Sequence, residues 1–290
     1  MAWQQIHIRT DDTGASPLEE HCLALGAVAI TLADRGDEPV LEPAPGETPL
    51  WNQITLTALF DAAADSDLIV AALADNGVRP DDVRVERLAE RNWVDEWLRD
   101  FEARDIGPRL RIVASHQVEP PDERVRVVLD PGLAFGTGTH TTTALVLEWL
   151  QQVAVDTRTV LDMGCGSGIL AIAALKLGAS RADGVDIDAQ ALTATHRNAA
   201  INAVAERLRV FAPAELPSGR YEVVVANILA NTLMDMADEL TARTAPGGAL
   251  ALTGILDAQA TNVEQAYAGA FNLAPTVRRD GWALVSGVRR

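Results

Sequence analysis

The sequence contains only two cysteines, Cys22 and Cys165, which fall in different predicted domains. A disulfide between them is not expected, and free thiols suit the reducing cytoplasm. The first residues have neither the basic head nor the apolar core of a secretory signal peptide. No apolar run approaches the roughly 20 residues that a membrane-spanning helix needs. These absences predict a cytoplasmic protein without a membrane anchor.

Lysine is almost absent as well, since Lys176 stands alone among 24 basic residues, and the formal net charge is −17. The excess of acid is uneven. Residues 1–100 hold 20 acidic residues against 7 arginines, whereas residues 101–290 hold 21 against 17 basic residues. Such an acidic surface repels nucleic acid and attracts basic partners. We therefore expect a basic partner and no direct nucleic-acid binding; an acidic surface that only maintains solubility is the alternative.

The most informative pattern is an apolar strand that runs into three alternating glycines, Gly164, Gly166 and Gly168, with an apolar helix directly after them. Glycines at such a turn let a ligand approach the backbone, and the free N–H groups of the helix point into the same crevice. A second apolar strand ends at Asp186, 22 residues after Gly164. A carboxylate there can accept hydrogen bonds from the ribose hydroxyls of an adenosine. The pattern predicts a nucleoside-binding crevice.

The spacing of the glycines separates one kind of nucleoside from another. A dinucleotide fingerprint has its third glycine where this chain has Ile169. Asp162 stands two residues before Gly164, and its charge would repel a pyrophosphate but attract an ammonium group. S-adenosylmethionine fits, because it has an adenosine, a sulfonium and an amino-acid head but no phosphate. A P-loop is excluded because no G-x-x-x-x-G-K-S/T motif occurs; a degenerate dinucleotide-dependent oxidoreductase stays open as the alternative.

Residues 1–90 read as two β-α-β units, which predicts a small α+β domain of the ferredoxin-like kind. The predicted strands and helices are, in chain order, Trp3–Thr10, Pro17–Leu25, Ala27–Leu32, Ile54–Phe60, Ser66–Asn76 and Val83–Leu88. Ser66 is expected to cap the second helix and Gly77 to end it. This domain holds no cluster of catalytic residue types, so we expect it to recognise the substrate. A linker helix is predicted within residues 91–104.

Residues 105–290 alternate apolar strands with helices, which predicts a parallel, doubly wound α/β sheet. The predicted strands are Leu110–Val113, Val125–Leu129, Thr159–Met163, Ala182–Asp186, Leu208–Phe211, Val223–Ala226, Ala249–Thr253 and Trp282–Val288. A glycine- and hydroxyl-rich loop is expected to cover a ligand with Phe135 and to offer hydroxyls, among them that of Thr139, to a carboxylate. Asn227 follows the fourth strand of the nucleotide fold, where its carbonyl can accept a hydrogen bond beside the transferable methyl group.

Four segments together resemble one protein family, the methyltransferases of large-subunit ribosomal protein eleven. They are Phe-Gly-Thr-Gly-Thr-His, Asp-x-Gly-Cys-Gly-Ser-Gly-Ile-Leu, Gly-Val-Asp-Ile-Asp and Ala-Asn-Ile-Leu-Ala, and the resemblance covers about residues 90–290. It implies a Rossmann-like, seven-stranded class I methyltransferase domain over residues 105–290. It also implies that Thr143, Gly164, Asp186 and Asn227 contact S-adenosylmethionine. The chain departs from the family at Thr141, where proline is usual, and at His116, where an aromatic is more usual.

The resemblance further implies the product, trimethylated lysines and a methylated N-terminal α-amine on the ribosomal protein. The nucleophile must be a neutral amine. Deprotonation at pH 7 costs about 4–5 kcal/mol for lysine and about 1 kcal/mol for an α-amine. Positioning can contribute about 7–11 kcal/mol, so we assign Asn227 to orient the amine and assign no general base and no metal.

Three alternatives to a protein methyltransferase stay open. They are a methyltransferase for a small molecule or RNA, an assembly factor that binds the cofactor without chemistry, and a nicotinamide dehydrogenase. The acidic charge weighs against RNA, and the extra N-terminal domain weighs mildly against a small molecule. No oligomerisation stripe is evident, so we expect a monomer.

Overall fold

A computed structural model describes residues 3–36, 50–88, 103–115, 117, 123–129 and 140–290. The chain divides into two compact units, residues 1–93 and 94–290. Several predictions lie outside the described residues: most of the linker helix, the lid residues Phe135 and Thr139, and His116. None of the helices described is long and apolar enough to span a membrane.

In its described residues, 3–36 and 50–88, the first unit is a four-stranded sheet with two helices. Its strands are β1 (Trp3–Thr10), β2 (Ala29–Asp34), β3 (Ile54–Asp61) and β4 (Val83–Leu88), and its helices are α1 (Asp12–Ala24) and α2 (Ser66–Asp75). The strand order is β2-β3-β1-β4, and every pair is antiparallel. The predicted order of strands and helices is therefore correct. Alternation in β1 buries Ile6 and Ile8 in a core with Leu18 of α1 and Leu73 of α2.

Two helix starts differ from the prediction. Asp65, not Ser66, caps α2, because its carboxylate accepts hydrogen bonds from the amides of Asp67 and Leu68. Helix α1 begins at Asp12, ahead of the predicted Pro17, because Asp11 accepts from the amides of Thr13 and Gly14. In both cases an aspartate supplied the cap.

The second unit opens with a small sheet of β5 (Arg104–Ile106), β6 (Leu110–Ala114) and β7 (Val125–Leu129). Strands β5 and β6 are antiparallel, and β6 and β7 are parallel. The sequence predicted β6 and β7 as part of the main sheet, which is wrong. Their apolar residues instead form one core with residues of the helices that cover that sheet.

In the part of the chain that the structure describes, the main sheet has eight strands: β8 (Thr159–Met163), β9 (Arg181–Val185), β10 (Leu208–Phe211), β11 (Tyr221–Asn227), β12 (Thr244–Leu256), β13 (Phe271–Leu273), β14 (Val277–Arg279) and β15 (Trp282–Arg289). Its order is β10-β9-β8-β11-β12-β15-β13, and β14 pairs with β15 off this path. Strands β8 to β12 are parallel, as predicted. Strand β15 runs antiparallel to its neighbours, so the prediction of a wholly parallel sheet is wrong.

Helices cover both faces of the main sheet. They are α3 (Thr141–Gln152), α4 (Ile169–Lys176), α5 (Ala189–Ile201), α6 (Ala230–Asp235), α7 (Ala237–Arg243) and α8 (Ala260–Ala268). Apolar residues of α3 and α4 fill the core on one face, and those of α6 to α8 fill the core on the other. A parallel sheet covered in this way has near-continuous apolar strands, which is why β8 and β11 are readable from the sequence.

Candidate functional site

Three parallel strands end side by side at one edge of the main sheet. In the register of β8 with its neighbours, Met163 pairs with Val185 of β9 and with Ala226 of β11. The next residues along these strands are Gly164, Asp186 and Asn227. The topology therefore brings the three strand-end residues predicted from the sequence to one edge, at the carboxyl ends where open α/β sheets bind ligands.

The glycine turn after β8 needs residues without a side chain. Gly164, Gly166 and Gly168 have φ angles of +75°, +54° and +79°, in the left-handed region that favours glycine. The amide of Gly164 donates to the carbonyl of Val185 at 2.8 Å. A Cβ on Gly164 would stand 2.3 Å from Cγ2 of Ile228. The turn is therefore tied to β9 and packed closely against the loop after β11.

Helix α5 holds the same turn from below. The hydroxyl of Thr195 donates to the carbonyl of Gly166 at 2.9 Å, and Nδ2 of Asn198 donates to the carbonyl of Ser167 at 2.8 Å. Cys165 is buried within the turn, and burial raises the pKa of its thiol to about 12. Cys165 is therefore a packing residue of the turn and not a thiolate nucleophile.

Asp186 is hydrogen-bonded to the glycine turn. Its Oδ2 accepts from the amide of Gly166 at 2.8 Å, and its Oδ1 accepts from the amide of Asp188 at 3.0 Å. An ionised carboxylate has about four acceptor positions, so two bonds fix its orientation and others remain for a ligand. The side chain is half-buried at the edge of the sheet. This geometry suits a fixed acceptor of hydroxyl donors.

Asp162 is fully buried beneath the turn. Its Oδ2 accepts from the amide of Ala171 in α4 at 3.0 Å, whereas no donor among the described residues reaches Oδ1. Burial, with a smaller contribution from the charge of Asp186, raises the pKa of this carboxyl to about 7 against the lowering effect of the Ala171 bond. An incompletely bonded buried acid of this kind is a place where a nearby positive charge is stabilised.

Asn227 is oriented by a partner on α3. Its Nδ2 donates to the hydroxyl of Thr143 at 3.3 Å, and Thr143 is buried in the first turn of that helix. With the amide nitrogen used in this way, Oδ1 of Asn227 is the acceptor directed elsewhere. The pair fixes a hydrogen-bond acceptor at the end of β11.

Comparison with known proteins gives the family. A family model described as ribosomal protein L11 methyltransferase (PrmA) matches residues 2–290. The chain belongs to the ribosomal protein L11 methyltransferase family. Ribosomal protein L11 methyltransferases of Azotobacter vinelandii and Haemophilus ducreyi are 49% and 44% identical to it over 293 residues, each match covering 100% of both chains. The crystal structure of ribosomal protein L11 methylase from Lactobacillus delbrueckii subsp. bulgaricus is 33% identical, covers 66% of this chain and 100% of its own, and has a TM-score of 0.61.

The predicted family and the prediction of a methyltransferase are thereby confirmed. In this methyltransferase, Thr143, Gly164, Gly166, Asp186 and Asn227 lie around one sheet edge, and Asp162 lies beneath it. His140 caps α3 through Nδ1, which accepts a hydrogen bond from the amide of Thr142.

Sequence reasoning missed two exposed apolar residues at this edge of the methyltransferase. Ile187, directly after Asp186, is 91% exposed, and Leu229, two residues after Asn227, is 59% exposed. Apolar side chains left in water beside a crevice offer contact area to an apolar or aromatic ligand group. The signal was present, because Ile187 stands between two acids just beyond a strand and has no core to enter.

Proposed function

We propose that this protein transfers methyl groups from S-adenosylmethionine to ribosomal protein L11, at lysine side chains and at the N-terminal α-amine. The observation that carries the proposal is the convergence of the glycine turn, Asp186 and Asn227 at one sheet edge in a chain of this family. A protein substrate agrees with the family, and its basic character agrees with the acidic charge of this chain.

We also propose the finer description of the fold. The path of seven strands with one reversed strand next to its end supports a seven-stranded, Rossmann-like class I domain to which β14 is an addition. The order β2-β3-β1-β4 with two helices supports a ferredoxin-like domain over residues 1–90. In this division, residues 91–104 link it to the methyltransferase domain of residues 105–290.

The residues at the sheet edge fit S-adenosylmethionine. Asp186 would accept from the ribose hydroxyls, and Gly164 and Gly166 would let the nucleoside approach the backbone. Since neither oxygen of Asp162 is exposed, it would act on the ammonium of the methionine end by its charge across the turn. Thr143 would border the same end, and Phe135 and Thr139 complete the proposed lid. When bound, the cofactor supplies an electrophilic methyl group.

Asn227 positions the substrate amine. Its Oδ1 would accept a hydrogen bond from the N–H of a neutral substrate amine, and the bond from Nδ2 to Thr143 holds the amide in that orientation. No general base is required, because deprotonating lysine at pH 7 costs about 4–5 kcal/mol. That cost is less than the roughly 7–11 kcal/mol available from positioning.

We propose residues 1–90 as the substrate-recognition domain. The helices described in this domain lie on one face of its sheet, and Gln5, His7 and Arg9 on the other face of β1 do not enter the core that these helices form. The surrounding first third of the chain is strongly acidic and complements a basic ribosomal protein. We further propose a cytoplasmic monomer with no direct nucleic-acid binding.

The test is intact-mass spectrometry of unmethylated L11 incubated with the full chain and S-adenosylmethionine. We expect a ladder of single-methyl increments on L11, and none with Asp186→Ala, which removes the proposed ribose acceptor. If the cofactor binds but L11 gains no mass, the proposal is wrong. Methyl transfer to RNA or to a small molecule in the same assay would then identify the alternative substrate.

A further inference from the structure

A tight turn far along the sequence touches the start of α3. Strands β14 and β15 are joined by Asp280 and Gly281, whose φ angles are +51° and +78°. Two successive left-handed residues make the type I′ turn that best matches the twist of a hairpin. The flanking residues Arg279 and Trp282 are directly paired, so both side chains leave the sheet on the same face. We call Arg279–Trp282 the hairpin turn.

The hairpin turn contacts α3 at three points. Arg279 makes a bidentate ion pair with Glu148, with Nη1 and Nη2 at 2.8 and 2.7 Å from the two carboxylate oxygens. The hydroxyl of Thr141 donates to Oδ2 of Asp280 at 3.1 Å. Trp282 meets the ring of His140 edge-on, with centroids 4.8 Å apart. Three contacts along one helix fix both its position and its rotation about its own axis.

These contacts are poorly placed for stabilising the fold. The side chains of Arg279 and Glu148 are 41% and 31% exposed, and Thr141 and Asp280 bond at the surface. Exposed ion pairs contribute little to stability. Bidentate geometry nevertheless adds directional specificity, so the contacts are better suited to orienting α3 than to holding the domain together.

The start of α3 leads directly to the proposed cofactor site. His140, in contact with Trp282, also receives the amide of Thr142 at its Nδ1. The next residue, Thr143, accepts the hydrogen bond that orients Asn227. A shift of the first turn of α3 would therefore displace Thr143 and change its hydrogen bond to Asn227. At 3.3 Å this bond is already long, so a small displacement would break it.

We infer that the hairpin turn is a positioning element of the methyltransferase site: it sets the first turn of α3 so that Thr143 meets Asn227. The inference rests on the proposed role of Thr143 and Asn227 at the cofactor. Trp282, Asp280 and Arg279 are positioning residues: Trp282 pairs with Leu256 at the end of β12, and none of the three is a strand-end residue of β8, β9 or β11.

The test measures steady-state kinetics of the full chain with L11, together with thermal unfolding. We expect Trp282→Ala and Arg279→Ala to raise KM for S-adenosylmethionine about three- to tenfold, with KM for L11 and the Tm nearly unchanged. Trp282→Phe keeps an aromatic edge against His140 and should restore the wild-type KM. The matched control is Arg278→Ala, because the neighbouring Arg278 faces Asp257 at 3.9 Å and not α3.

A charge swap tests the ion pair without creating a cavity. Arg279→Glu and Glu148→Arg should each raise KM for S-adenosylmethionine, and the double variant should restore it. This pair keeps the inference testable should Trp282→Ala fail to fold. Absence of rescue in the double variant would contradict an orienting role for the pair.

Thr143→Ala separates the inference from the proposed function. If Thr143→Ala weakens cofactor binding while the hairpin-turn variants do not, the inference is wrong and the proposed site stands. If Thr143→Ala changes nothing while Asp186→Ala still abolishes methyl transfer, the proposed role of Thr143 is wrong and the inference falls with it, whereas the proposed function stands. If the hairpin-turn variants lower the Tm and raise both KM values equally, the turn is only structural and the inference is refuted.

Discussion

Replacement of Asp162 by asparagine tests how the buried acid contributes to the site. Burial raises the pKa of Asp162 from an ordinary 3.8 to about 7. Between about pH 4 and pH 7 the native state therefore keeps a proton that the unfolded chain has already released. The free energy of unfolding of the cofactor-free protein falls as the pH rises through this window, and the contribution of Asp162 is level above it.

The size of the effect follows from the shift. About three pKa units correspond to about 4 kcal/mol of stability lost between pH 4 and pH 7. Asp162→Asn cannot ionise, so urea unfolding of the variant should lack this part of the pH dependence. Other carboxylates titrate in both proteins, and the difference between wild type and variant isolates position 162.

A bound ammonium group shifts the titration of Asp162 towards its ionised form. A positive charge near Asp162 favours its ionised form, so binding of S-adenosylhomocysteine should release a proton at pH 6. We expect its affinity to rise with pH, by at most about tenfold per unit below the pKa of Asp162. Isothermal titration in two buffers of different ionisation enthalpy measures the released proton directly.

Asp162→Asn should bind S-adenosylhomocysteine more weakly and release no proton on binding. Its affinity should not rise between about pH 5.5 and 7, a range in which the α-amino group of the ligand stays charged. If the variant keeps the wild-type slope, another group is responsible and the proposed role of Asp162 is wrong. If the wild type releases no proton at pH 6, the proposed coupling between Asp162 and the bound ammonium group is wrong.

Three further predictions concern the turn, the amide and the first domain. Asn227→Ala should lower kcat about a hundredfold through loss of orientation and weaken S-adenosylhomocysteine binding about three- to tenfold, as the hairpin-turn variants do; an equal loss in both would make Asn227 a binding residue only. Gly164→Ala should abolish cofactor binding and lower the free energy of unfolding by about 2–4 kcal/mol in urea, since the new Cβ meets Ile228 at 2.3 Å and φ is unfavourable. Deletion of residues 1–90 should abolish methylation of L11 in the mass assay and leave cofactor affinity intact; loss of both would mean that the domain is structural.

Much of the site was predictable because it depends on local rules. Strand β8 was predicted with its observed bounds, since a strand buried on both faces is a continuous apolar run. The glycines after it mark positive φ angles, and parallel strands bring their carboxyl ends to one edge. The convergence of Gly164, Asp186 and Asn227 follows from these facts without coordinates.

What the sequence did not reveal depends on partners distant in the chain. The sequences of β6 and β7 do not indicate that these strands form a separate sheet, because an apolar pattern shows that a strand is buried and not which strand it pairs with. Strands β13 and β14 are three residues each and too short to show a period. The turn between β14 and β15 is different, because the Asp280-Gly281 dipeptide is itself a strong local hairpin signal. The hydrophobic pattern does not indicate that Oδ1 of Asp162 lacks a donor, since this depends on how α4 covers β8.

The reversed strand also has a consequence for the order of events during synthesis. Strand β15 lies between β12 and β13, yet it leaves the ribosome after both of them. Strand β13 pairs only with β15 among the strands described, and so has to wait for a later segment before it can join the sheet. The hairpin turn and its contacts with α3 also form late, because Arg279–Trp282 follow β13 in the chain. A nascent chain that already contains the complete glycine turn therefore still lacks β15 and the β13 that pairs with it, so the contacts that set α3 form late in the folding of this enzyme.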